Sequence, residues 1–390
     1  MSTLKVGGIR GVSASSDAIT VANDGTATAK LTSINDAPLS NRNKIINGEF
    51  LINQRVDSYV GGNGFGPDRF KIEASHDGSA SFSQSTTAPD GFANSIKMDC
   101  TSTDTSIGAG QYLQLKQAIE ARNLVDLAYG TSSAKTMVLS FYVRSNVTSG
   151  TYTITLFQND NSSKLQSYQY TISSANTWER KTFTIAADTA GVINNDNGAG
   201  ISIYWNLSIG SNFTGGTPRS AWTAFSSPDY AAGHTVNLLS NTSNEWYLTG
   251  VQLEINDSGV ATDFEHRPLG QELILCQRYY ERIVERNEGS NAKENNIGPF
   301  WGDGSSSFVM IPFKVAKRAQ PTLEISNFTN AFRIFGSSGG NNVSTLTANT
   351  LHRDGMMLEA SVNSGTAGYA RVFVNNSDGI KALVAALAEI

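Results

Sequence analysis

Charged residues, cysteine and histidine are all scarce in this chain. Asp, Glu, Lys and Arg make up 16% of the 390 residues, against about 25% in typical globular proteins. Only Cys100 and Cys276 are present, which excludes a disulfide framework and a thiolate zinc site within one chain. The four histidines stand alone, and none has the spacing of a metal-binding or catalytic motif. These absences argue against metal-dependent and histidine-based catalysis.

Basic clusters and long apolar runs are also missing. The net charge is −5 and no cluster of five Lys or Arg occurs, which argues against a basic face that follows nucleic-acid phosphates. No run reaches 18 consecutive apolar residues, and the first 16 residues lack the apolar core of a signal peptide. We therefore expect a protein made in a cytosol, with no nucleic-acid partner and no membrane insertion.

Turn-forming and β-forming residues dominate what is present. The chain has 36 glycines, and it is rich in Ser, Asn and Thr, which suit turns and pleated strands. Between residues 43 and 267, short runs alternate apolar and polar positions with a period of two, which predicts strands. Only residues 113–127 interrupt the pattern and suggest a short helix. The clearest strand runs are 137–143, 152–156, 181–185, 201–205 and 246–253.

Because no helical stretches of 10–15 residues separate these runs, the sequence predicts an all-β fold built on an antiparallel jelly-roll sandwich. An N-terminal extended arm over residues 1–42 precedes it, with a hairpin around Asn23-Asp24-Gly25. This arm is too poor in large apolar residues to form its own core. We interpret it as an attachment arm, with a flexible tail as the alternative.

A short helix is predicted directly after the sandwich, in a segment and linker over residues 268–295. Pro268 suits the first helical turn, and apolar or aromatic residues follow at heptad spacing. Two heptads are too few for an independent coiled coil, so the helix either packs on its own domain or forms an oligomer interface. The predicted interface residues are Leu269, Leu273, Cys276, Tyr280 and Ile283.

A second, small β domain is predicted over residues 296–390. Strand patterns occur at residues 307–313, 322–325, 331–335 and 369–374. Residues 380–390 fit either a helix or a strand, and we favour a strand. The predicted organisation is therefore an arm (1–42), a jelly roll (43–267), a helical segment (268–295) and a small β domain (296–390).

Aromatic residues are the best candidates for a binding function. Exposed rings stack on the C–H groups of sugars while amides and carboxylates bond the hydroxyls. Tyr204, Trp222 and Trp301 are the candidate glycan-binding residues, whereas Trp178 and Trp205 fit a sandwich core better. Acidic residues are scattered, and the short repeats of a β-helix are absent, so we expect no enzyme activity.

Six motifs occur in a fixed order along the chain: Asn47-Gly48-Glu49-Phe50, Asn53-Gln54-Arg55, Pro67-Asp68-Arg69-Phe70, residues 247–254, Phe264-Glu265-His266-Arg267 and residues 275–281. As an ordered set they resemble the carbohydrate-binding-module-like jelly roll in tail-fibre and other virion structural proteins of tailed bacteriophages. The C-terminal part, with Ile311-Pro312-Phe313 before Pro321-Thr322 and an ending in Ala388-Glu389-Ile390, is similar to the small terminal β domain of those proteins, and residues 1–31 are similar to their N-terminal attachment segments.

The resemblance implies a homotrimer located in the virion tail that helps attach the particle to the host surface. Its partners would be its own copies, other tail or baseplate proteins through the arm, and a host surface polysaccharide. We expect no cofactor and no bound metal; in sugar-binding modules related to this resemblance a calcium ion is often held near the first and last strands, where Glu49 and Glu254 would be the matching acids. The alternatives are a purely structural tail or capsid component and a glycan depolymerase.

Overall fold

The strands of the N-terminal region form a small sheet of their own. In this computed structural model, β1 (Gly8–Ile9), β2 (Ile19–Val21) and β3 (Ala27–Ala29) are antiparallel neighbours, and the predicted hairpin is confirmed by the β2–β3 pairing. The attachment role of this region stays a prediction. The structure describes residues 7–10, 12, 15, 18–24, 26–29, 40–55, 58–160, 163–284, 299–302, 306–326, 332–336, 339–362, 371–375 and 383–390.

Two antiparallel sheets face each other over residues 58–255 and confirm the predicted jelly-roll sandwich. One sheet has the strand order β13-β10-β16-β8-β7-β4 and the other β15-β12-β11-β14-β9-β6-β5. The strands are β4 (Ser58–Val60), β5 (Gly64–Phe65), β6 (Lys71–Ser75), β7 (Ser79–Ser85), β8 (Ser95–Ser102), β9 (Tyr112–Glu120), β10 (Met137–Ser145), β11 (Tyr152–Gln158), β12 (Lys164–Tyr170), β13 (Glu179–Ile185), β14 (Ala199–Ile209), β15 (Thr223–Ala224) and β16 (Glu245–Ile255).

Period-two alternation places one side chain in two between the sheets. Trp205 of β14 is fully buried there, with its ring centroid 6.2 Å from Phe70 and 6.1 Å from Phe141. Truncating a buried ring of this size to alanine typically costs about 3–5 kcal/mol. Trp205 is therefore a core residue, as its sequence context suggested. The same prediction for Trp178 is wrong, because Trp178 is half-buried outside the core and packs against Tyr247.

Residues 113–127, which were predicted to interrupt the strand pattern, form a strand in their first half. β9 continues to Glu120 because Leu113 and Leu115 face the core in strand register. A 3-10 helix follows at Ala121–Leu127 and ends at Ala128, whose φ of 51° is left-handed. Further 3-10 turns span Ser211–Phe213, Ser227–Asp229 and Leu238–Ser240.

The helix after the sandwich is shorter than the heptad pattern suggested. α1 (Leu269–Gln277) ends before Tyr280, where a strand begins. Cys276 packs with Ile46, Ile52 and Tyr279 of the same chain. The predicted interface is corrected at Cys276 and Tyr280, since both are buried within the single chain and have no surface left for a partner.

Of the other predicted interface residues, Leu269 is 60% exposed and Leu273 is partly buried at the edge of the cluster around Cys276. Ile283 lies on the strand after α1 and packs against the core of the C-terminal region. Ile274, which the pattern did not select, is 55% exposed. The exposed apolar surface of α1 is therefore formed by Leu269 and Ile274.

No helix in the described residues is long and apolar enough to cross a membrane.

The C-terminal region contains a six-stranded closed barrel with the order β18-β19-β23-β22-β21-β24 and a three-stranded sheet, β17-β25-β20. The predicted strand near residues 380–390 is confirmed. The elements are β17 (Tyr280–Val284), β18 (Pro299–Gly302), β19 (Ser306–Pro312), β20 (Thr322–Ser326), β21 (Phe332–Gly336), β22 (Gly339–Leu351), β23 (Gly355–Val362), β24 (Arg371–Asn375) and β25 (Leu383–Leu387).

An ionic junction joins the C-terminal region to the sandwich. The carboxylate of Glu389 contacts Arg69 and lies 2.8 Å from Arg55, and all three side chains are nearly buried. The guanidinium groups also stack on the rings of Tyr280 and Tyr279, at 3.7 and 3.5 Å from the ring centroids. The sequence left open whether the two regions pack together, and this junction shows that they do.

The sequence motifs behind the phage resemblance are concentrated around this junction and the adjoining edge of the sandwich. Asn47 donates to the carbonyls of Ile52 (2.8 Å) and Asp68 (3.0 Å), and Arg267 donates to the carbonyl of Ile45 (2.9 Å). These polar groups are buried and hydrogen-bonded, so their chemistry is structural.

Two motif glycines are required by close packing. A Cβ at Gly48 would lie 2.2 Å from the carbonyl oxygen of Val251. Gly250 has a φ of +60°, and a Cβ there would meet the rings of Phe92 and Tyr142 at 2.8 and 2.9 Å. Only glycine fits such positions without displacing neighbouring atoms.

Candidate functional site

The outer face of the seven-stranded sheet carries two rows of aligned polar side chains. Strand register brings the residues of each row side by side across β6, β9, β14, β11 and β12. Because alternate residues of these strands fill the core, the row residues point away from it. The first row is Lys71, Lys116, Tyr204, Thr155 and Ser167; the second is Glu73, Gln114, Asn206, Thr153 and Gln169.

A segment of the same chain, residues 210–236, lies over half of this face; we refer to it as the cover segment. The backbone of Arg219 exchanges hydrogen bonds with Ser167, and the hydroxyl of Thr155 donates to the carbonyl of Tyr230. Its short strand β15 pairs with β12. The rows are therefore buried on the β11 and β12 side and accessible on the β6 and β9 side.

His234 anchors the cover segment through a buried polar network. Its Nδ1 lies 3.2 Å from the hydroxyl of Thr153, and its Nε2 lies 2.9 Å from the carbonyl of Val236. The Asn206 amide donates to both Thr153 and Thr155 at 3.0 Å. Burial lowers the pKa of His234 to about 4, so the imidazole is neutral at pH 7.

An ion pair within the cover segment fixes its shape. Both Nε and Nη2 of Arg219 donate to Asp229, at 2.9 and 2.8 Å, and the Thr217 amide donates to the other carboxylate oxygen. The Thr217 amide first, and then Arg219, hold the pKa of Asp229 below its usual value. This pair brings residues 217–219 back onto residue 229 and positions the aromatic residues on either side.

Aromatic rings of the cover segment continue the accessible part of the face. Tyr230 is central: its ring centroid lies 5.8 Å from Tyr204, 6.1 Å from Phe213 and 6.5 Å from Phe225. Phe213 in turn lies 6.4 Å from Tyr112 of β9. Phe225 is 45% exposed. Tyr204 is only 8% exposed and lies beneath these rings, so we refer to Tyr112, Phe213, Phe225 and Tyr230 as the aromatic surface.

A cavity of about 110 Å³ opens on the aromatic surface. It is lined by Tyr112, Phe213, Phe225 and Tyr230, together with Gln114 and Ile209. Pockets for drug-sized ligands usually enclose about 300–1,000 Å³. The smaller volume suits one ring-sized group, with the rest of a ligand lying across the open face.

Charged groups border the aromatic surface on the β6 and β9 side. The ammonium groups of Lys71 and Lys116 lie 3.0 and 3.2 Å from the same oxygen of Glu73. The Gln114 amide donates to the other Glu73 oxygen at 3.3 Å and accepts from the Tyr230 hydroxyl at 3.0 Å. We refer to Lys71, Lys116 and Glu73 as the charged border. The amide of Gln114 connects it to the ring of Tyr230 through hydrogen bonds.

Glu73 and Lys116 remain ionised at neutral pH. Burial alone would raise the pKa of Glu73, but Lys116 and Lys71 outweigh it and hold that pKa below its usual value. Burial alone would lower the pKa of Lys116, yet Tyr204 and Glu73 outweigh it and raise that pKa. Glu73 is therefore a hydrogen-bond acceptor and not a proton donor.

The three predicted glycan-binding residues have different positions. Tyr204 is buried beneath the aromatic surface, against Tyr230, so the prediction that its ring is exposed for a sugar is corrected. Trp222 is half-buried against the sandwich core, and its indole N–H donates to the carbonyl of Ala186 at 2.8 Å, so it anchors the cover segment. The backbone of Trp301 pairs with Phe308 in the barrel, and its side chain lies outside what the structure describes.

The two predicted metal-ligand acids already have other partners. Glu49 lies 2.9 Å from the imidazole of His266, and burial raises its pKa. Glu254 accepts from the amide and the hydroxyl of Thr262. Within the described residues, no three His, Cys, Asp or Glu side chains are grouped so as to hold a metal ion. The expectation that the chain binds no metal stays a prediction.

A larger cavity, of about 690 Å³, lies on the barrel. Met310, Met357, Thr350 and Arg353 are among its lining residues, and no Phe, Tyr or Trp is among the described residues that line it. Flexible thioethers adapt to apolar surfaces, whereas sugars are recognised through rings and fixed polar groups. The aromatic surface is therefore the better candidate site, although its cavity is smaller.

Phe213, Phe225 and Tyr230 were missed in the sequence because the cover segment is an irregular loop. Its signal was the density of aromatic residues in a stretch rich in Gly, Ser and Pro. Loops carry binding residues more often than strands do, so this stretch was a candidate. No pattern within residues 210–236 indicated that the cover segment would fold back over the seven-stranded sheet.

Fold and site together define an antiparallel jelly-roll sandwich with a shallow aromatic and polar surface on one sheet. No family model matches the chain. The curated proteins also contain no match to it.

Comparison with solved structures finds matches of low similarity. The C-terminal family 22 carbohydrate-binding module of Clostridium thermocellum Xyn10B is 10% identical, with a TM-score of 0.29, and the match covers 57% of this chain and all of that one. The family 11 carbohydrate-binding module from the same organism is 12% identical, with a TM-score of 0.27, and the match covers 54% of this chain and 99% of that one. A bacteriophage CBA120 tailspike domain is 11% identical, with a TM-score of 0.26, over 55% of this chain and 21% of its own. Likenesses of this size carry no argument about ligands, so a function must be argued from the site.

Proposed function

We propose that the chain binds glycans without catalysis, through the aromatic surface and its charged border. The observation that supports this is the hydrogen-bonded continuity from Tyr230 through Gln114 to Glu73. Ring faces carry negative potential and attract the polarised C–H groups of a sugar. The adjoining amide and carboxylate accept its hydroxyls.

Binding of this kind needs little conformational change. The rows are fixed by strand register, and the cover segment is fixed by the Arg219–Asp229 pair and the His234 network. A preformed surface loses less conformational entropy when the ligand binds. Affinity at one shallow site is nevertheless modest, so several copies would be needed for firm attachment.

The absence of catalysis is supported by the state of Glu73. Glycoside cleavage uses a protonated carboxyl as general acid beside a second carboxylate. Glu73 is held ionised by two lysines, and Asp229 is held by Arg219 and the Thr217 amide. Neither can donate a proton at neutral pH.

The proposal extends to a homotrimeric tail-fibre or adhesin-type component of a phage virion that attaches to host surface glycan. The motif resemblance supports this role, as does the exposed apolar surface of α1 at Leu269 and Ile274. Light scattering of the full chain should give three times 41.7 kDa, and Leu269→Asp with Ile274→Asp should reduce it to one. A monomeric wild-type protein would contradict the trimer.

Glycan binding is tested by truncating the exposed rings. Phe225→Ala and Phe213→Ala should each weaken retention on host polysaccharide in affinity electrophoresis by about fivefold or more, because each removes a stacking surface worth about 1 kcal/mol or more. Trp178→Ala is the matched control, since Trp178 packs near Tyr247 at the other sheet.

Unchanged retention in both ring variants would overturn the site. Normal host adsorption by particles whose aromatic surface is blocked would favour the purely structural alternative. Release of reducing sugar from host polysaccharide would favour the depolymerase alternative.

A further inference from the structure

The charged border has more positive than negative groups. Lys71 and Lys116 both contact Glu73, so two ammonium groups share one carboxylate. The nearby Arg219–Asp229 pair is neutral as a unit. The border therefore carries one excess positive charge, in a chain whose net charge is −5.

A bound neutral sugar would leave that excess charge uncompensated. The side chain of Lys116 is only 16% exposed and that of Lys71 29%, and a sugar on the rings would cover much of what remains. Removing an unpaired cation from water is costly. A negative group on the ligand would remove this cost.

The donors and the rings lie within reach of one sugar residue. Lys116 Nζ lies 5.3 Å from the centroid of the Tyr204 ring, and Tyr204 lies 5.8 Å from Tyr230. Each ammonium group has three N–H donors, and Lys71 uses one of them on Glu73. Tyr204 is buried between Lys116 and Tyr230, so a sugar stacked on the ring of Tyr230 would place its substituents on the side of the two lysines.

We propose that this surface selects glycans whose sugars carry a carboxylate, such as uronic acids. The inference rests on the proposed glycan-binding function and specifies its ligand class. The sugar carboxylate takes hydrogen bonds from Lys71 and Lys116, while Glu73 and Gln114 bind neighbouring hydroxyls. Selectivity then comes from charge, and general affinity comes from the rings.

A paired array of polysaccharides tests this with the full chain. Uronic-acid polysaccharides are printed beside the same polymers after carboxyl reduction, which converts each uronate into the neutral hexose. We expect the wild-type protein to bind the acidic member about tenfold more tightly, with a preference that decreases as salt increases.

Variants separate charge from shape. Lys71→Met with Lys116→Met should abolish the preference, whereas the two Lys→Arg changes should retain it. Glu73→Gln should increase the preference, because it removes the competing carboxylate. Lys181→Met is the matched control, since it removes an ammonium group paired with Glu179 on the other sheet.

Each outcome is decisive. Equal binding of acidic and reduced polymers by the wild-type protein overturns the selectivity and leaves glycan binding intact. Binding to no polymer overturns both. If the double Met variant does not fold, the opposite effect of Glu73→Gln still decides, and a preference unchanged in that variant contradicts the role of the border.

Discussion

His234 is the buried titratable residue with the clearest consequence for stability. Its pKa is about 4 in the folded chain, against about 6.5 when exposed. Between these values the unfolded chain binds a proton that the folded chain does not. Stability therefore decreases as the pH falls from about 6.5 to 4, by about 3 kcal/mol in total.

Replacing His234 with Gln should remove this contribution. Urea unfolding at pH 7 and at pH 4.5 gives the stability difference for each protein. We expect a smaller difference in the variant than in the wild type, while the contributions of the carboxylates cancel in the comparison. Equal differences would show that His234 is accessible to protons in the folded chain.

Residue identity alone did not predict the side chains of the site. Tyr204 was chosen as an exposed aromatic ring, yet it is only 8% exposed and packs against Tyr230. Trp222 was chosen for its size, yet its indole N–H is bonded to a backbone carbonyl. A sequence shows that a residue is aromatic, but whether its ring is exposed depends on contacts between distant segments.

The cover segment is the element that converts a flat sheet face into a site. Its position depends on the Arg219–Asp229 pair, in which Arg219 is 40% exposed. A partly exposed pair contributes at most about 1 kcal/mol to global stability. Its influence is therefore local, on the placement of Phe213 and Tyr230.

Arg219→Gln should loosen the cover segment while leaving the sandwich intact. Hydrogen exchange of amides in residues 213–233 should accelerate severalfold, and the unfolding temperature should decrease by only a few degrees. Lys181→Gln disrupts an ion pair on the other sheet and should leave these amides unchanged. Unaltered exchange in Arg219→Gln would mean that the sheet contacts alone hold the segment.

Strands were predicted well because burial imposes a period of two along the chain. α1 was predicted too long for the opposite reason: heptad spacing fits residues 269–283, but β25 supplies a strand partner that takes up Tyr280–Val284. That partner lies about a hundred residues later in the sequence. Local patterns contain no information about such pairing.

At the scale of the whole molecule, Glu389 connects the sandwich to the C-terminal region. Its carboxylate compensates two guanidinium groups, and the exposed fractions of the Arg55, Arg69 and Glu389 side chains are 8%, 2% and 4%. Removing one member of a buried ionic cluster typically costs about 3–5 kcal/mol, because the remaining charges stay unpaired.

Glu389→Gln should therefore destabilise the junction by about 3 kcal/mol or more in urea unfolding. Asp126→Asn is the matched control: its carboxylate pairs with Lys44 but is 43% exposed, so we expect a loss below about 1 kcal/mol. Equal losses in the two variants would show that the junction is not held by charge.

The return of β25 to β17 also fixes an order of events during synthesis. Residues 383–390 leave the ribosome after the sandwich and the barrel, yet they supply a strand partner for residues 280–284 and the carboxylate for Arg55 and Arg69. Until then, two arginines and a strand edge of the nascent chain lack their partners. The sandwich core can form early, but completion of the junction waits for contacts more than 300 residues apart in sequence, which are slow to form. A chaperone that shields this edge during translation would act at the step where the chain is most exposed to misassembly.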